Sequence, residues 1–395
     1  MNLALDAHPA QLDFSSCRDV PYVGFVGGRG AGKSFAASLR LLRWGCTEPG
    51  LYGMYAPTYP LLHDTILRSF SEIARPVIKR TWGAPTNIEL ISGAEILCRS
   101  LDDPERARGP SLKGAVWDEA SLCAQEAFDI LIACLRYEGK QGWLACTFTP
   151  KGPSHWTADV FNDPARSDVR CFHARTDQNP FNPPNFRDTL ARQYTTQFAI
   201  QELDGCFISL EGGIAKAEWF PVAPVPPEFR PVAIVRFWDF AASKKKTGDF
   251  TASGKVARMA GGRYVLMEVT RDKVGPGELE RLVQSTARRD GPQTLIRFEQ
   301  EPSAGAQHYA STLVRMLGGY NVRAIRPQGD KVLRAGPLLA QAEHGNVTLF
   351  PGSWVRLFHE ELRSFPNGEH DDMVDAVAGA FSEVCDSGAG YAAIA

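Results

Sequence analysis

The sequence predicts a two-domain α/β protein, with a mostly parallel sheet in the first domain and a mixed sheet in the second. The chain has 395 residues, and a single core rarely grows beyond about 250–300 residues. Short apolar runs alternate with helical patterns in the first half, as they do in parallel sheets. The second half opens with three successive strand-like runs, which is typical of a sheet that also contains antiparallel pairs.

The predicted strands of the first half are the apolar runs at residues 22–27, 53–57, 95–100, 114–119 and 142–149. Helical patterns separate several of them. In the second half, the predicted strands are residues 232–240, 251–259, 263–270 and 294–299, and the predicted helices are 278–289 and about 371–384.

A proline-rich segment, WFPVAPVPPEFRPVA from Trp219 to Ala233, divides the chain near residue 225. Proline fixes its own φ and lacks a backbone donor, so this segment is expected to be an extended linker. We predict domains over residues 1–218 and 233–387, a linker over 219–232 and a flexible tail over 388–395. A proline-rich loop inside one domain is the alternative.

Composition excludes several classes of protein. The chain is 44% hydrophobic and 22% charged, with a formal net charge of −2, so nucleic acid would have to be bound by local basic patches. None of the nine cysteines forms a C-x-x-C pair, which argues against a zinc ribbon. The N-terminus is a poor signal peptide, and no apolar run approaches about 18 residues, so no membrane span is expected.

The stretch GGRGAGKS, residues 27–34, lies between the first predicted strand and a helix. It fits the phosphate-loop pattern G-x-x-x-x-G-K-[ST]. Its backbone N–H groups would face phosphate oxygens, Lys33 would reach the β- and γ-phosphates, and Ser34 would offer its hydroxyl to Mg²⁺. The predicted ATP-binding residues are those of the loop itself: Gly27, Gly28, Arg29, Gly30, Ala31, Gly32, Lys33 and Ser34.

Enzymes with this loop also need an acidic residue at the end of a buried strand. The stretch LKGAVWDEAS supplies Asp118 for the metal ion and Glu119 for the attacking water. A helix N-cap is the alternative interpretation of this pair. The sequence therefore predicts a P-loop ATPase domain of the RecA/ASCE-like type.

Further residues are candidates for the same reaction. The strand in ACTFTPKG ends where motor ATPases sense the γ-phosphate, which makes Thr147 and Thr149 candidates, although an ordinary turn explains them as well. Arg29 and Arg108 are candidates for stabilising charge on the transferred phosphoryl group. Arg106 is interpreted as an exposed arginine.

Four acidic residues stand out in the second half. Asp239 and Glu299 each end an apolar strand, and Asp372 and Asp375 share one face of the last predicted helix. Carboxylates in this order are typical of an RNase H-like nuclease. Such a cluster needs cations to stay ionised, and its oxygen ligands suit two Mg²⁺ or Mn²⁺ ions that activate water and stabilise the leaving oxygen of a phosphodiester.

Each of these carboxylates also has a simpler explanation. Asp371 or Asp372 could cap the helix, and Asp239 could end its strand by chance. Glu301 competes with Glu299, but it precedes Pro302 and leaves the strand. The roles of Asp371, His370 and Asp249 stay open.

Taken together, GGRGAGKS, RGPSLKGAVWDEA, FTPKG, WDFA, FEQ and HDDMVDA resemble, in this order, the large terminase subunit of tailed bacteriophages. The resemblance covers about residues 20–385. It implies a motor that moves double-stranded DNA into a capsid with ATP and cuts concatemeric DNA with a two-metal nuclease. It also implies that Gln11 is a candidate contact for adenine.

The resemblance further implies partners. These are double-stranded DNA, the portal protein of the procapsid and a small terminase subunit, with several copies forming a ring on the portal. The implied location is the cytoplasm of an infected bacterium, without a stable place in the virion or a membrane. Two alternatives remain at this point: a helicase–nuclease or repair ATPase, and an assembly ATPase with a non-catalytic acidic cluster.

Overall fold

The computed structural model describes residues 5–209, 214–240, 250–300, 304–326, 331–366, 368 and 370–386. The chain forms two compact units, one of residues 1–191 and 197–210, the other of residues 192–196 and 211–395. The domain boundaries that we derive from composition remain predictions. Asp249, Glu301 and the predicted tail over 388–395 lie outside the described residues.

The first unit is built on an eight-stranded sheet with the order β10-β1-β9-β6-β2-β5-β4-β3. Its strands are β1 (Tyr22–Gly27), β2 (Leu51–Ala56), β3 (Ile78–Trp82), β4 (Asn87–Leu90), β5 (Glu95–Ser100), β6 (Gly114–Asp118), β9 (Trp143–Phe148) and β10 (Val169–Ala174). A separate hairpin pairs β7 (Arg136–Tyr137) with β8 (Lys140–Gln141). Pairing is parallel from β10 to β5, and only β4 and β3 are antiparallel. The predicted mostly parallel sheet is confirmed.

Helices cover both faces of this sheet. They are α1 (Pro9–Ser16), α2 (Lys33–Thr47), α3 (Tyr59–Leu62), α4 (Arg68–Ala74), α5 (Gln125–Cys134), α6 (Trp156–Phe161), α7 (Phe186–Ala191) and α8 (Thr196–Glu202). Successive side chains of a strand point to opposite faces, so Phe25 packs into the core under α2 while Val26 packs into the core under α5. The central strands β6 and β9 are therefore apolar on both faces and entirely buried.

The second unit contains a six-stranded sheet with the order β15-β14-β11-β12-β13-β16. The strands are β11 (Pro231–Asp239), β12 (Thr251–Met259), β13 (Tyr264–Asp272), β14 (Leu295–Glu299), β15 (Val322–Ile325) and β16 (Val347–Leu349). β12 pairs antiparallel with both β11 and β13, whereas β14, β15 and β16 join the sheet in parallel. The sheet is mixed, as the sequence predicts.

The helices of the second unit are α9 (Pro276–Asp290), α10 (Ala304–Met316), α11 (Lys331–Glu343), α12 (Val355–Ser364) and α13 (Asp372–Asp386). α13 lies directly on the sheet at Gly254 of β12. A Cβ at Gly254 would stand 2.9 Å from the Cα of Val377, so any larger residue would push the helix away. This close approach holds α13 on β12, next to the strand β11 that ends at Asp239.

Several elements were not predicted by the sequence patterns. They include β3, β4, β10, β15, β16 and the helices α10, α11 and α12. Part of the proline-rich segment forms backbone hydrogen bonds with β16. The Ala223 N–H donates to the Leu349 carbonyl at 2.9 Å, and the Leu349 N–H donates to the Pro221 carbonyl at 2.8 Å. Within the described residues, no helix combines the length and the apolarity that crossing a bilayer requires.

Candidate functional site

The phosphate loop lies between β1 and α2 and needs its glycines. Gly30 and Gly32 have φ of 75° and 80°, in the left-handed region that favours glycine. At Gly28, a Cβ would stand 2.2 Å from the carbonyl oxygen of Leu203. These three positions therefore need glycine for the loop to adopt this backbone conformation.

Lys33 is buried in the centre of the predicted ATP site. Its Nζ donates to the Thr149 hydroxyl at 2.9 Å and to the carbonyl of Gly28 at 3.3 Å. The Glu119 carboxylate lies 3.5 Å from the same Nζ. The structure thus brings together the loop lysine, the predicted water-activating glutamate and one of the two candidate threonines.

Asp118 lies at the carboxyl edge of the parallel sheet, where it accepts hydrogen bonds from two hydroxyl groups. Ser34 donates to its Oδ2 at 2.6 Å, and Thr147 donates to its Oδ1 at 2.5 Å. Asp118 is fully buried, and burial, followed by the neighbouring charge of Glu119, raises its pKa. A buried carboxylate next to a serine hydroxyl is the donor set that a hard cation such as Mg²⁺ favours.

Glu119 adopts a strained backbone conformation. Its φ of 52° and ψ of 46° place it in the left-handed region, which costs a residue other than glycine about 1–2 kcal/mol. Strain of this kind persists where the surrounding structure enforces it, and it is concentrated at functional sites. The strain occurs at the residue that the sequence assigns to water activation.

The candidate arginines are placed differently. The Arg29 side chain pairs with the Glu202 carboxylate at 3.2 Å, and its backbone N–H donates to the Glu202 carbonyl at 2.7 Å. The exposed guanidinium of Arg108 forms two hydrogen bonds with Glu105 of its own turn. Arg106 is exposed as interpreted from the sequence, beside Asp102. The assignment of Arg29 and Arg108 to phosphoryl transfer therefore remains a prediction.

Sequence reasoning missed the residues that support the loop from outside. Thr176 donates to the carbonyl of Arg29 at 2.7 Å, and Asn179 and Asn182 both donate to that of Gly30, at 2.6 and 3.1 Å. The only available signal was the dense stretch DQNPFNPPNF. Gln11 also contacts the loop, because its Nε2 donates to the carbonyl of Gly32 at 3.0 Å.

In the second unit, β11 and β14 are parallel neighbours. Their last residues, Asp239 and Glu299, therefore lie at the same edge of the sheet. Burial, followed by the charges of Glu299, Asp375 and Asp372 in that order, raises the pKa of Asp239 to about 8. The four predicted carboxylates therefore act on one another electrostatically. This clustering is what the sequence order predicts.

Two cations of α11 lie among these carboxylates. Arg334 contacts Glu299 at 3.1 Å and Asp375 at 3.5 Å, and Lys331 pairs with Asp371. Sequence reasoning missed both, because α11 contains Pro337 and does not resemble a helix. In this conformation, protein cations offset part of the negative charge of the cluster.

The surroundings of Asp375 and Asp372 disfavour the ionised form of each carboxyl group. Burial raises the pKa of Asp375 to about 6. It also raises the pKa of Asp372, with a further contribution from the Asp371 charge. In the described part of the chain, Oδ1 of Asp375 is buried without a hydrogen-bond partner. Nδ1 of His370 lies 4.0 Å from Asp372.

The described residues contain no group of three or more His, Cys, Asp or Glu side chains arranged to hold one metal ion. This arrangement is compatible with magnesium, which usually takes only one or two protein carboxylates and completes its shell with water and substrate phosphates. The buried Asp239 and the unpartnered Asp375 oxygen fit such a cation.

A further functional residue is Glu361 of α12. Its Oε1 accepts the backbone N–H of Val374 in the first turn of α13 at 2.9 Å, and its Oε2 pairs with Arg271 at 3.2 Å. Burial raises the pKa of this carboxyl to about 7. Glu361 therefore holds the end of the helix that presents Asp372 and Asp375, and no sequence motif marks it.

The two sites define a class of protein: an ATPase on a parallel α/β sheet, followed by a nuclease on a mixed RNase H-like sheet. A family model described as the N-terminal part of the T4likevirus-type terminase large subunit matches residues 25–222. A second, described as the terminase RNaseH-like domain, matches residues 236–383. The chain belongs to the terminase large-subunit family. It is a viral DNA-packaging motor that hydrolyses ATP and carries an endonuclease, so the helicase–nuclease and assembly-ATPase alternatives are not supported.

Solved structures show the same fold. The large terminase of the thermophilic bacteriophage D6E is 13% identical and has a TM-score of 0.66, with 96% of this chain and 99% of that chain covered. Its ADP complex gives a TM-score of 0.65 at 14% identity, with 94% and 98% covered. The ATP-γ-S complex of the same terminase gives a TM-score of 0.61 at 15% identity, with 94% of this chain and 93% of that chain covered. A comparison with curated protein sequences found no match.

Proposed function

We propose that ATP hydrolysis takes place at the carboxyl edge of the first sheet, with residues 27–34 around the phosphates. The bound nucleotides of the phage D6E terminase, ADP and ATP-γ-S, support this choice of ligand. Lys33 neutralises charge on the β- and γ-phosphates, and Glu119 orients the attacking water and accepts its proton. Ser34 and Asp118 hold Mg²⁺, which supplies further neutralisation of phosphate charge when bound.

The coupling between nucleotide and motion would begin at Thr147 and Thr149. Thr147 is bonded to the Asp118 carboxylate, and Thr149 is bonded to Lys33. Both side chains are therefore joined to the residues that face the nucleotide. Loss of the γ-phosphate would change both hydrogen bonds at once, and the change would be transmitted along β9.

For the nuclease, we propose that Asp239, Glu299, Asp372 and Asp375 hold Mg²⁺ or Mn²⁺. Bound ions would activate water and stabilise the leaving oxygen of a DNA phosphodiester. The observation that carries this assignment is geometric: Asp239 and Glu299 end neighbouring parallel strands, and Arg334 contacts both Glu299 and Asp375. Burial and the neighbouring charges raise the pKa of Asp239, so these carboxylates compete for ionisation. Divalent cations relieve such a competition.

The partners follow from the family. We propose that the chain acts on double-stranded DNA, mainly through phosphate contacts, since a motor has to travel over any sequence. It would dock on the portal of a procapsid as a ring of several copies, together with a small terminase subunit. Its place of action would be the cytoplasm of the infected bacterium.

A plasmid assay tests the nuclease assignment. Supercoiled plasmid is incubated with the wild type, with Asp239→Asn and with the control Asp272→Asn, in Mn²⁺, in Mg²⁺ and in EDTA. Asp272 is an exposed acid on the same sheet, at the end of β13. We expect wild type and control to nick or linearise the plasmid with metal only, and Asp239→Asn to be inactive. Equal cutting by all three proteins would refute the assignment.

A further inference from the structure

The edge of the second sheet at which Asp239 lies extends across two further strands. Asp239 of β11 pairs with Ala252 of β12, and Ala252 pairs with Arg271 of β13. Residues that face each other in antiparallel strands carry their side chains on the same face of the sheet, so Arg271 shares the face of the Asp239 carboxylate. Neighbouring strands are about 4.8 Å apart, which places Arg271 about 10 Å from Asp239 along this edge.

Lys273 follows Arg271 by two residues, directly after the end of β13. Side chains two residues apart along a strand point to the same face. Both cations contact the ring of Phe250, because the guanidinium carbon of Arg271 and the Nζ of Lys273 each lie 4.5 Å from its centroid. The shared contact shows that Lys273 remains on the face of the proposed nuclease carboxylates.

The Phe250 ring also connects these cations with the carboxylate cluster. It packs edge to face against the ring of His370, with the centroids 5.0 Å apart, and Nδ1 of His370 lies 4.0 Å from the Asp372 carboxylate. Burial raises the pKa of Asp372, and the charge of Arg271 opposes this rise. Lys273 therefore lies beside the carboxylate cluster, within one further side chain of it.

The two cations differ in how far they are already engaged. Arg271 is partly buried and pairs with Glu361 at 3.2 Å. Lys273 is exposed, and among the described residues no carboxylate lies within ion-pair distance of its Nζ. Its contact with Phe250 is worth only about 0.5–1 kcal/mol at an exposed site, so an incoming anion competes with it easily. Lys273 is thus a positive charge that is available to a ligand.

We propose that Lys273 binds a backbone phosphate of the DNA strand that is cut, while the Phe250 ring orients its ammonium group. This inference rests on the proposed nuclease function. At about 10 Å or slightly more from Asp239, Lys273 reaches a phosphate about three nucleotides away, because one DNA strand rises about 3.4 Å per nucleotide along the helix axis. A phosphate contact positions the strand without reading its sequence. The lysine also offsets the repulsion between the carboxylates and the DNA backbone.

Two measurements on the full-length protein test the role of Lys273. Binding of a fluorescein-labelled DNA duplex is followed by anisotropy, with Ca²⁺ in place of Mn²⁺, between about 50 and 200 mM KCl. Plasmid cutting in Mn²⁺ gives kcat and KM. The variants are Lys273→Gln, the conservative Lys273→Arg and the control Arg315→Gln. Arg315 is an exposed cation of α10, a helix that packs with Trp238 on the other face of the sheet.

We expect Lys273→Gln to raise the Kd for the duplex about fivefold at about 50 mM KCl and to reduce the slope of log Kd against log [KCl] by about 0.9, the value for one phosphate contact. Duplexes of unrelated sequence should show the same loss. In the cutting assay, KM should rise while kcat changes less than about twofold, as expected when uniform binding is removed.

The control variants make the result specific to this position. Lys273→Arg should restore the salt slope, and Arg315→Gln should match the wild type in binding and cutting. A Kd and a salt slope in Lys273→Gln equal to those of the wild type would overturn the inference. A wild type that fails to cut with any metal would refute the nuclease assignment, and the binding measurement would still decide whether Lys273 contacts DNA.

Discussion

The guanidinium of Arg334 contacts the Glu299 carboxylate at 3.1 Å and reaches Asp375 at 3.5 Å. One cation on α11 thus bridges carboxylates of β14 and α13. A metal ion that entered the cluster would compete with this arginine for the same oxygens. Arg334 is therefore expected to lower the metal affinity of the proposed nuclease site, and Lys331 is expected to act in the same direction at Asp371.

Arg334→Met is expected to tighten Mn²⁺ binding by about tenfold, or about 1.4 kcal/mol, because the carboxylates lose their competing partner. The affinity for Mn²⁺ is measured by calorimetric titration or by electron paramagnetic resonance. The full-length protein is used, without nucleotide or magnesium, and the site followed is that of the second unit. Arg356→Met, an exposed arginine paired with Glu360 on α12, is the control. Unchanged or weaker Mn²⁺ binding in Arg334→Met would show that the arginine does not compete with the metal.

Asp239→Asn is expected to stabilise the metal-free second unit at alkaline pH. The pKa of Asp239 is raised from 3.8 to about 8 in the folded chain, so between these values the folded state retains a proton that the unfolded state has released. Stability therefore falls as pH rises through this window. Asparagine removes this pH dependence.

Calorimetry in EDTA at pH 5 and pH 8 measures the effect. We expect the melting temperature of Asp239→Asn to rise relative to that of the wild type between pH 5 and pH 8, by at least about 4–8 °C, which corresponds to about 2 kcal/mol in a unit of this size. Asp272→Asn should follow the wild type at both pH values. A variant that is less stable than the wild type at pH 8 would contradict the assignment of the proton to Asp239.

The sequence predicts the role of a residue where the residues next to it in the chain form a recognisable pattern. Lys33, Asp118 and Glu119 belong to patterns in which the spacing itself encodes the chemistry, and the structure brings them together. The order of carboxylates that is typical of an RNase H-like nuclease groups Asp239 with Glu299, and the structure places them at the ends of neighbouring parallel strands.

The supporting residues could not be found in the same way. Glu361 reaches α13 from α12, and Arg334 reaches β14 from a helix with an internal proline. Asn179 and Asn182 support the phosphate loop from about 150 residues further along the chain. No local pattern encodes these contacts, because each depends on how distant elements pack.

Lys33→Ala is expected to abolish ATP turnover, to below about one per cent of wild type, while plasmid cutting in Mn²⁺ is retained. The lysine is proposed to neutralise phosphate charge at a site in the first unit, whereas the proposed nuclease carboxylates all belong to the second. Phosphate release and plasmid linearisation are measured on the same preparation. Lys79→Ala, which changes an exposed lysine of β3, should retain both activities, and loss of cutting in a folded Lys33→Ala protein would contradict separate active sites.

Glu361→Ala is expected to abolish DNA cutting although Glu361 is not proposed to touch metal or DNA. Removing the carboxylate leaves the Val374 N–H and Arg271 without their buried acceptor, at a cost of about 1.5–3 kcal/mol. The first turn of α13 would then no longer be held in place, and Asp372 and Asp375 with it. Glu361→Gln keeps an acceptor for Val374 and should preserve more stability and more cutting than alanine.

The matched control for this prediction is Glu360→Ala, which changes the adjacent and largely exposed acid of the same helix. Calorimetry gives the stability of the second unit, plasmid linearisation gives cutting, and phosphate release gives ATP turnover. A positioning role requires that Glu361→Ala lowers stability and cutting, that ATP turnover is unchanged, and that Glu361→Gln falls between alanine and wild type. If Glu361→Ala behaved like Glu360→Ala in all three measurements, the first turn of α13 would be held by other contacts.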